Sequence, residues 1–144
     1  MRRLTAATAA ALAVALGACG SIDRTPALIV SDTGVVTTDA GTTFASAPIG
    51  PVVLESGVLG GRTCYWLRDS TNIRHGVIWP FGSIATGGGI QVHGLDQPIH
   101  PGMTFWSRGG LGTRDRVPEL GSCDAAPVYW LGGQISLTNP VPSE

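Results

Sequence analysis

From Gly50 onward the chain alternates short apolar runs with clusters of glycine, proline and small polar residues. No stretch keeps helical spacing, because glycine and proline interrupt every segment long enough to hold a helix. The runs Pro51–Leu59, Arg62–Arg68, Arg74–Trp79, Ile90–His93, Met103–Ser107, Tyr129–Leu131 and Gln134–Leu137 are the expected strands. Turn signals separate them: Gly60-Gly61, Asp69-Ser70-Thr71-Asn72, Thr86-Gly87-Gly88-Gly89, Pro101-Gly102, Gly109-Gly110 and Gly132-Gly133. Short strands at this spacing predict an all-β domain over residues 50–144, a small barrel or sandwich. A long loop, Gly109 to Pro127, leads into the last strands. Residues 20–49 are rich in Ser, Thr, Asp, Ala, Gly and Pro, with Phe44 their one aromatic. They read as a flexible tether, although the β-prone Ala27-Leu28-Ile29-Val30 and Val35-Val36 are able to add an edge strand.

The other apolar run lies at the N-terminus. Arg2 and Arg3 precede about 13 residues, Leu4 to Leu16, too few for a spanning helix of about 20. A short charged region, an apolar run and small residues make a secretory signal over residues 1–18. The ending Leu16-Gly17-Ala18-Cys19 resembles the lipobox of bacterial lipoproteins. That resemblance implies a lipidated Cys19 as the mature N-terminus, with residues 19–49 as lipidated cysteine and tether. It places the domain on the extracytoplasmic face of the cell membrane, the membrane itself being one partner. Two long acyl chains anchor stably where one is marginal. The strand arrangement resembles a closed or partly open OB-like barrel of five or six strands. Cys64-Tyr65-Trp66-Leu67, Val77-Ile78-Trp79-Pro80-Phe81-Gly82, Gly102, Gly109-Gly110 and Cys123 resemble small exported β domains of actinobacteria, which imply no catalytic residues.

With Cys19 assigned to lipid, Cys64 and Cys123 remain, and an oxidising compartment predicts that they form a disulfide. Zinc ligands more often come in close pairs. Composition then removes function classes. After the signal, seven arginines face ten carboxylates, which argues against nucleic-acid binding. The chain has no lysine, hence no Schiff base and no phosphate-loop lysine. No Gly-x-Ser-x-Gly elbow and no HExxH are present, and no metal site or cofactor is expected.

What chemistry remains is aromatic. Tyr65-Trp66, Phe105-Trp106 and Tyr129-Trp130 are adjacent pairs on expected strands, and Trp79 ends another. Neighbours on a strand face opposite ways, so each pair sends one ring inward and one outward. The outward rings either pack under the tether and the Gly109–Pro127 loop or form a binding face. Arg108, Arg114 and Arg116 surround that loop's start as candidate anion contacts, with Asp115 and Glu119 opposing them. His75, His93 and His100, with carboxylates Glu55, Asp69 and Asp96, are the candidates for a His/carboxylate hydrolytic site. The expectation is therefore a non-catalytic lipoprotein binding module facing a cell-wall ligand or envelope protein. The alternatives are a small extracytoplasmic hydrolase with a His/carboxylate site and a structural subunit of an envelope complex.

Overall fold

The computed structural model describes residues 28–31, 33–39, 47–112, 120, 123 and 127–141. The signal 1–18, Cys19, Arg114 and Arg116 lie outside the described residues. Among the described residues nine strands follow in order: β1 (Leu28–Val30), β2 (Val36–Thr38), β3 (Ala47–Leu59), β4 (Arg62–Asp69), β5 (Arg74–Ile78), β6 (Ile84–Thr86), β7 (Gly89–Gln91), β8 (Thr104–Gly112) and β9 (Val128–Ser136). The fold is all-β, with no α-helix among the described residues.

Five strands form the main sheet. β3 pairs with β4, β4 with β5, β5 with β9, β9 with β8, and β8 again with β3. Each therefore has two hydrogen-bonded neighbours, and the sheet's order closes on itself. All pairs are antiparallel except β5 with β9, which the chain reaches only after the β6–β7 hairpin and β8.

The two-residue turn Gly60-Gly61, both at positive φ, sets the β3–β4 register at Leu59 opposite Arg62. That register carries Leu54 opposite Leu67 and Glu55 opposite Trp66. Leu67 in turn faces His75 on β5. Leu54 and Leu67 point inward, with Val52, Tyr65, Val77 and Phe105, all buried. Trp79 lies 6.2 Å from Phe105, ring centre to ring centre.

Several elements depart from the sequence reading. Gly109-Gly110 is inside β8 and Gly132-Gly133 inside β9, so Tyr129–Leu131 and Gln134–Leu137 are one strand. The reason is steric: a β-carbon on Gly109 would collide with the backbone carbonyl of Trp130, which the ring brings against it. Ile90–His93 shortens to β7, hydrogen-bonded to β6 and, through Ile90, to Ile99. Within the segment read as a tether, β1 and β2 form a hairpin that places Val35 to Thr38 among the buried residues. Trp79 N–H donates to the Val36 carbonyl at 2.8 Å and the Trp79 carbonyl accepts from Thr38 N–H at 3.2 Å, so β2 lies parallel beside the end of β5.

Candidate functional site: the outer face of β3, β4 and β5

The outward positions of three strands share one surface. Glu55 comes from β3, Trp66 and Arg68 from β4, and Arg74 from β5; Glu55 lies opposite Trp66 and Arg68 opposite Arg74. Gly57 makes room for the indole. A β-carbon there would sit 3.0 Å from the Trp66 ring, so the missing side chain lets that ring lie close over β3. Cys64, two residues before Trp66 and hence on the same side, forms the disulfide to Cys123, with 5.5 Å between the Cα atoms. The bridge and the indole make one buried cluster. Arg74 covers Trp66 from the other side, its guanidinium carbon 4.4 Å from the ring centre.

Two arginines directly opposite each other repel. Glu55 resolves this. Arg68 donates Nε–H to Oε1 at 2.6 Å and a terminal N–H to Oε2 at 3.0 Å, and Arg74 donates Nε–H to Oε2 at 3.0 Å. The Arg68 hydrogen bond, with help from Arg74, holds the Glu55 carboxyl below its usual range. Arg68 spends its remaining terminal nitrogen on the Asn72 carbonyl and side chain, both at 3.1 Å. Arg74 keeps its two terminal nitrogens without a partner among the described residues, and its side chain is 44% exposed. Within this trio, two guanidiniums against one carboxylate leave a net single positive charge. A groove of about 350 Å³ runs beside it, walled by Val53 to Ser56, Arg74 and the Pro101-Gly102 turn.

The opposite side of the same hairpin holds a second ionic group. Asp69 Oδ1 accepts from the Thr71 N–H, the Thr71 hydroxyl and the Ile73 N–H at 2.9, 2.7 and 2.9 Å. Its Oδ2 lies 2.7 Å from His75 Nε2. An ionised carboxylate only accepts, so Nε2 carries the hydrogen. The His75 hydrogen bond, followed by those of Thr71 and Ile73, holds Asp69 far below the ordinary carboxylate range. His75 is 3% exposed, rests 4.3 Å from the Tyr129 ring, and has no partner for Nδ1 among the described residues. A general base needs its free nitrogen at a substrate; here the ring is enclosed, and the pair ties the β4–β5 turn together. Because both lowered carboxylates gain from ionisation in the fold, their contribution is complete above about pH 4, the unfolded value, and disappears as pH falls through the folded one. Thermal melts between pH 7 and pH 2 are expected to show a falling midpoint below about pH 4. In Asp69→Asn the fall is shallower; an identical slope would contradict this assignment.

The aromatic residues named from sequence are gathered mostly inside. Tyr65, Trp66, Trp79 and Phe105 are buried, while Trp106, Tyr129 and Trp130 are half-buried. No exposed row of these seven forms. Tyr65, Trp79 and Phe105 fill the core, and Trp66 is roofed by the disulfide and Arg74. Trp130 packs beside Val36, Ile78, Leu120 and Val128, where the β1–β2 hairpin covers the sheet. Arg108 is buried in β8 and engaged, and so is no surface anion contact. His93, Asp96 and His100 are exposed. No group of three His, Cys, Asp or Glu side chains suited to a metal occurs among the described residues.

Sequence reasoning missed Arg68 and Arg74 and considered Glu55 only as a hydrolytic acid. The signal was present: Gly60-Gly61 fixes the hairpin register, and that register puts Glu55 beside Trp66. A larger groove of about 540 Å³ lies between His93–Leu95 and Gly133–Val141. Its lining holds no arginine or carboxylate; its polar side chains are His93, Gln134, Ser136 and Asn139. Comparison with protein-family models, curated proteins and solved structures finds no match to this chain.

Proposed function

We propose that the protein is a lipid-anchored extracytoplasmic lipoprotein whose β domain is a non-catalytic binding module. Its working surface is the outer face of β3, β4 and β5. The five-strand ring is read as an OB-like barrel, in which the second and third strands and adjoining loops form the recognition surface; in this ring those strands are β4 and β5. The carrying observation is the order of support on that face. The Cys64–Cys123 bridge packs on Trp66, Trp66 seats Arg74, and Glu55 orients it. A side chain held this way loses little freedom when a ligand arrives. The bridge also fits an oxidising compartment.

Anchoring follows from Cys19. The first described strand begins nine residues later, so the intervening chain spans at most about 30 Å. The domain thus stays close to the membrane surface and takes partners there, a cell-wall ligand or an envelope protein. A hydrolase is the weaker reading, since the one His–carboxylate pair among the described residues is enclosed. A purely structural role is also weaker. The large exposed apolar side chains fall on separate segments, such as Ile29-Val30, Val58-Leu59 and Phe81.

Two experiments test the reading. Cys19→Ser is expected to move the protein from carbonate-washed membranes to the soluble fraction; a variant still in the pellet would refute the anchor. Lipidated protein extracted from its own membranes is then compared with an Arg74→Glu form for what each retains. Loss of the retained partner in the variant supports the face, and the same partner on both removes it.

A further inference from the structure

β3 runs beyond its neighbour on one side. Its last residue paired with β8 is Val53, opposite Thr104, and the final bonds on that side are Leu54 N–H to the Met103 carbonyl at 3.1 Å and Gly102 N–H to the Leu54 carbonyl at 2.8 Å. Backbone groups alternate sides along a strand. Ser56 and Val58 therefore aim theirs the same way as Leu54, and no described residue meets them. On its other side β3 stays paired with β4 to Leu59. The far edge of β4 is treated differently: Cys123 lies against the Thr63 carbonyl through the disulfide. Among the described residues, nothing pairs with the β3 edge of this hairpin at Ser56 and Val58.

An open edge invites strand pairing, and proteins usually blunt one with charged side chains, proline or a bulge. Residues 56–59, Ser-Gly-Val-Leu, carry none of these: the β3 irregularity lies earlier, between Ile49 and Val52. Ser56 and Val58 are exposed, Val58 at 69%. The groove beside this edge ends at Pro101-Gly102 and is flanked by Arg74, whose terminal nitrogens have no hydrogen-bond partner among the described residues.

Direction now matters. A segment pairing antiparallel to β3 enters opposite Val58 and travels toward Ser56. There it meets the Gly102–Thr104 segment that leads into β8, which already occupies the next place along β3. Such a segment has to stop, and it stops beside Arg74. A chain end at that place carries a carboxylate, and a guanidinium fork matches a carboxylate in both charge and geometry.

We propose that the edge of β3 at Ser56 and Val58 takes up an extended peptide in antiparallel pairing, with the peptide's C-terminal carboxylate held by Arg74. Main-chain hydrogen bonds supply sequence-tolerant affinity, and the carboxylate supplies selectivity for chain ends. The proposal rests on the reading of this face as the binding surface and names what it binds.

The test titrates the oxidised domain with an acetylated four-residue peptide of valine and threonine bearing a free carboxylate, followed by backbone and arginine-side-chain NMR. Saturable shifts are expected at the Ser56 and Val58 amides and at the Arg74 Nε–H. The same peptide with an amidated C-terminus binds at least about tenfold more weakly. Arg74→Gln loses about the same factor toward the free-carboxylate peptide, and Arg74→Lys recovers only part of it. Val58→Pro, which removes an N–H that no described residue accepts, abolishes pairing while leaving the melting temperature near that of the parent. Equal binding of free and amidated peptides, or silent Ser56 and Val58 amides, would overturn the proposal. So would concentration-dependent dimerisation through this edge, since the occupant would then be a second copy. If the peptides fail while Arg74→Glu still loses the native partner, the peptide assignment falls and the binding face stands.

Discussion

Replacing Cys64 and Cys123 together by alanine is expected to lower the melting temperature by roughly 15–30 °C. The closed segment spans 59 residues, and in the chain-entropy account such a cross-link is worth about 4 kcal/mol. For a domain near 100 residues each kcal/mol shifts the midpoint by about 4–8 °C. That is a large part of the stability of a small domain, about 5–15 kcal/mol. The two single variants, Cys64→Ala and Cys123→Ala, should fall by similar amounts, since each removes the same bond. Trp66 reports the local consequence. Its roof on one side is the bridge, so its emission moves toward the red in every variant. Differential scanning calorimetry and tryptophan fluorescence measure both effects. A double variant within a few degrees of the parent, or an unmoved spectrum, would show that Cys123 is not held over Trp66.

Phe105→Ala should cost about 4 kcal/mol, and Trp106→Ala about 1 kcal/mol or less. The difference comes from strand alternation alone. Phe105 is fully buried and stacked near Trp79, whereas its larger neighbour points outward and is half-buried. Removing the inner ring leaves a cavity that the closed run of strands cannot collapse to fill. Removing the outer ring exposes little that was dry. Urea denaturation of both variants checks the ratio; comparable losses would mean that the inward and outward assignments along β8 are wrong.

The strands that sequence located well are those bounded by turn chemistry. Arg62–Asp69 and Arg74–Ile78 match their expected limits within one residue. Asp69, whose side chain accepts from Thr71 and Ile73, marks the turn between them. Glycine pairs misled elsewhere because one residue type serves two purposes. At Gly60-Gly61 the backbone turns, whereas at Gly109 a second strand approaches too closely for a side chain. Val35 and Val36 looked like part of a spacer because their burial depends on contacts distant in sequence, with Trp79 and Ile78. The disulfide was legible from cysteine number and compartment. The arginine face was not recognised because Arg68 and Arg74 look like ordinary surface charge until the register sets Glu55 between them. The bare edge of β3 was also hidden. It exists only because β8 begins at Thr104, several residues short of the hairpin tip.

The proposed export and lipid anchoring are the central claim, and intact-protein mass spectrometry of material purified from its own cells tests them most directly. The predicted mass starts at Cys19, carries the added acyl groups, comes from the membrane fraction, and contains one disulfide. A chain retaining Met1, free of lipid, in the soluble fraction and with titratable thiols at Cys64 and Cys123 would contradict it.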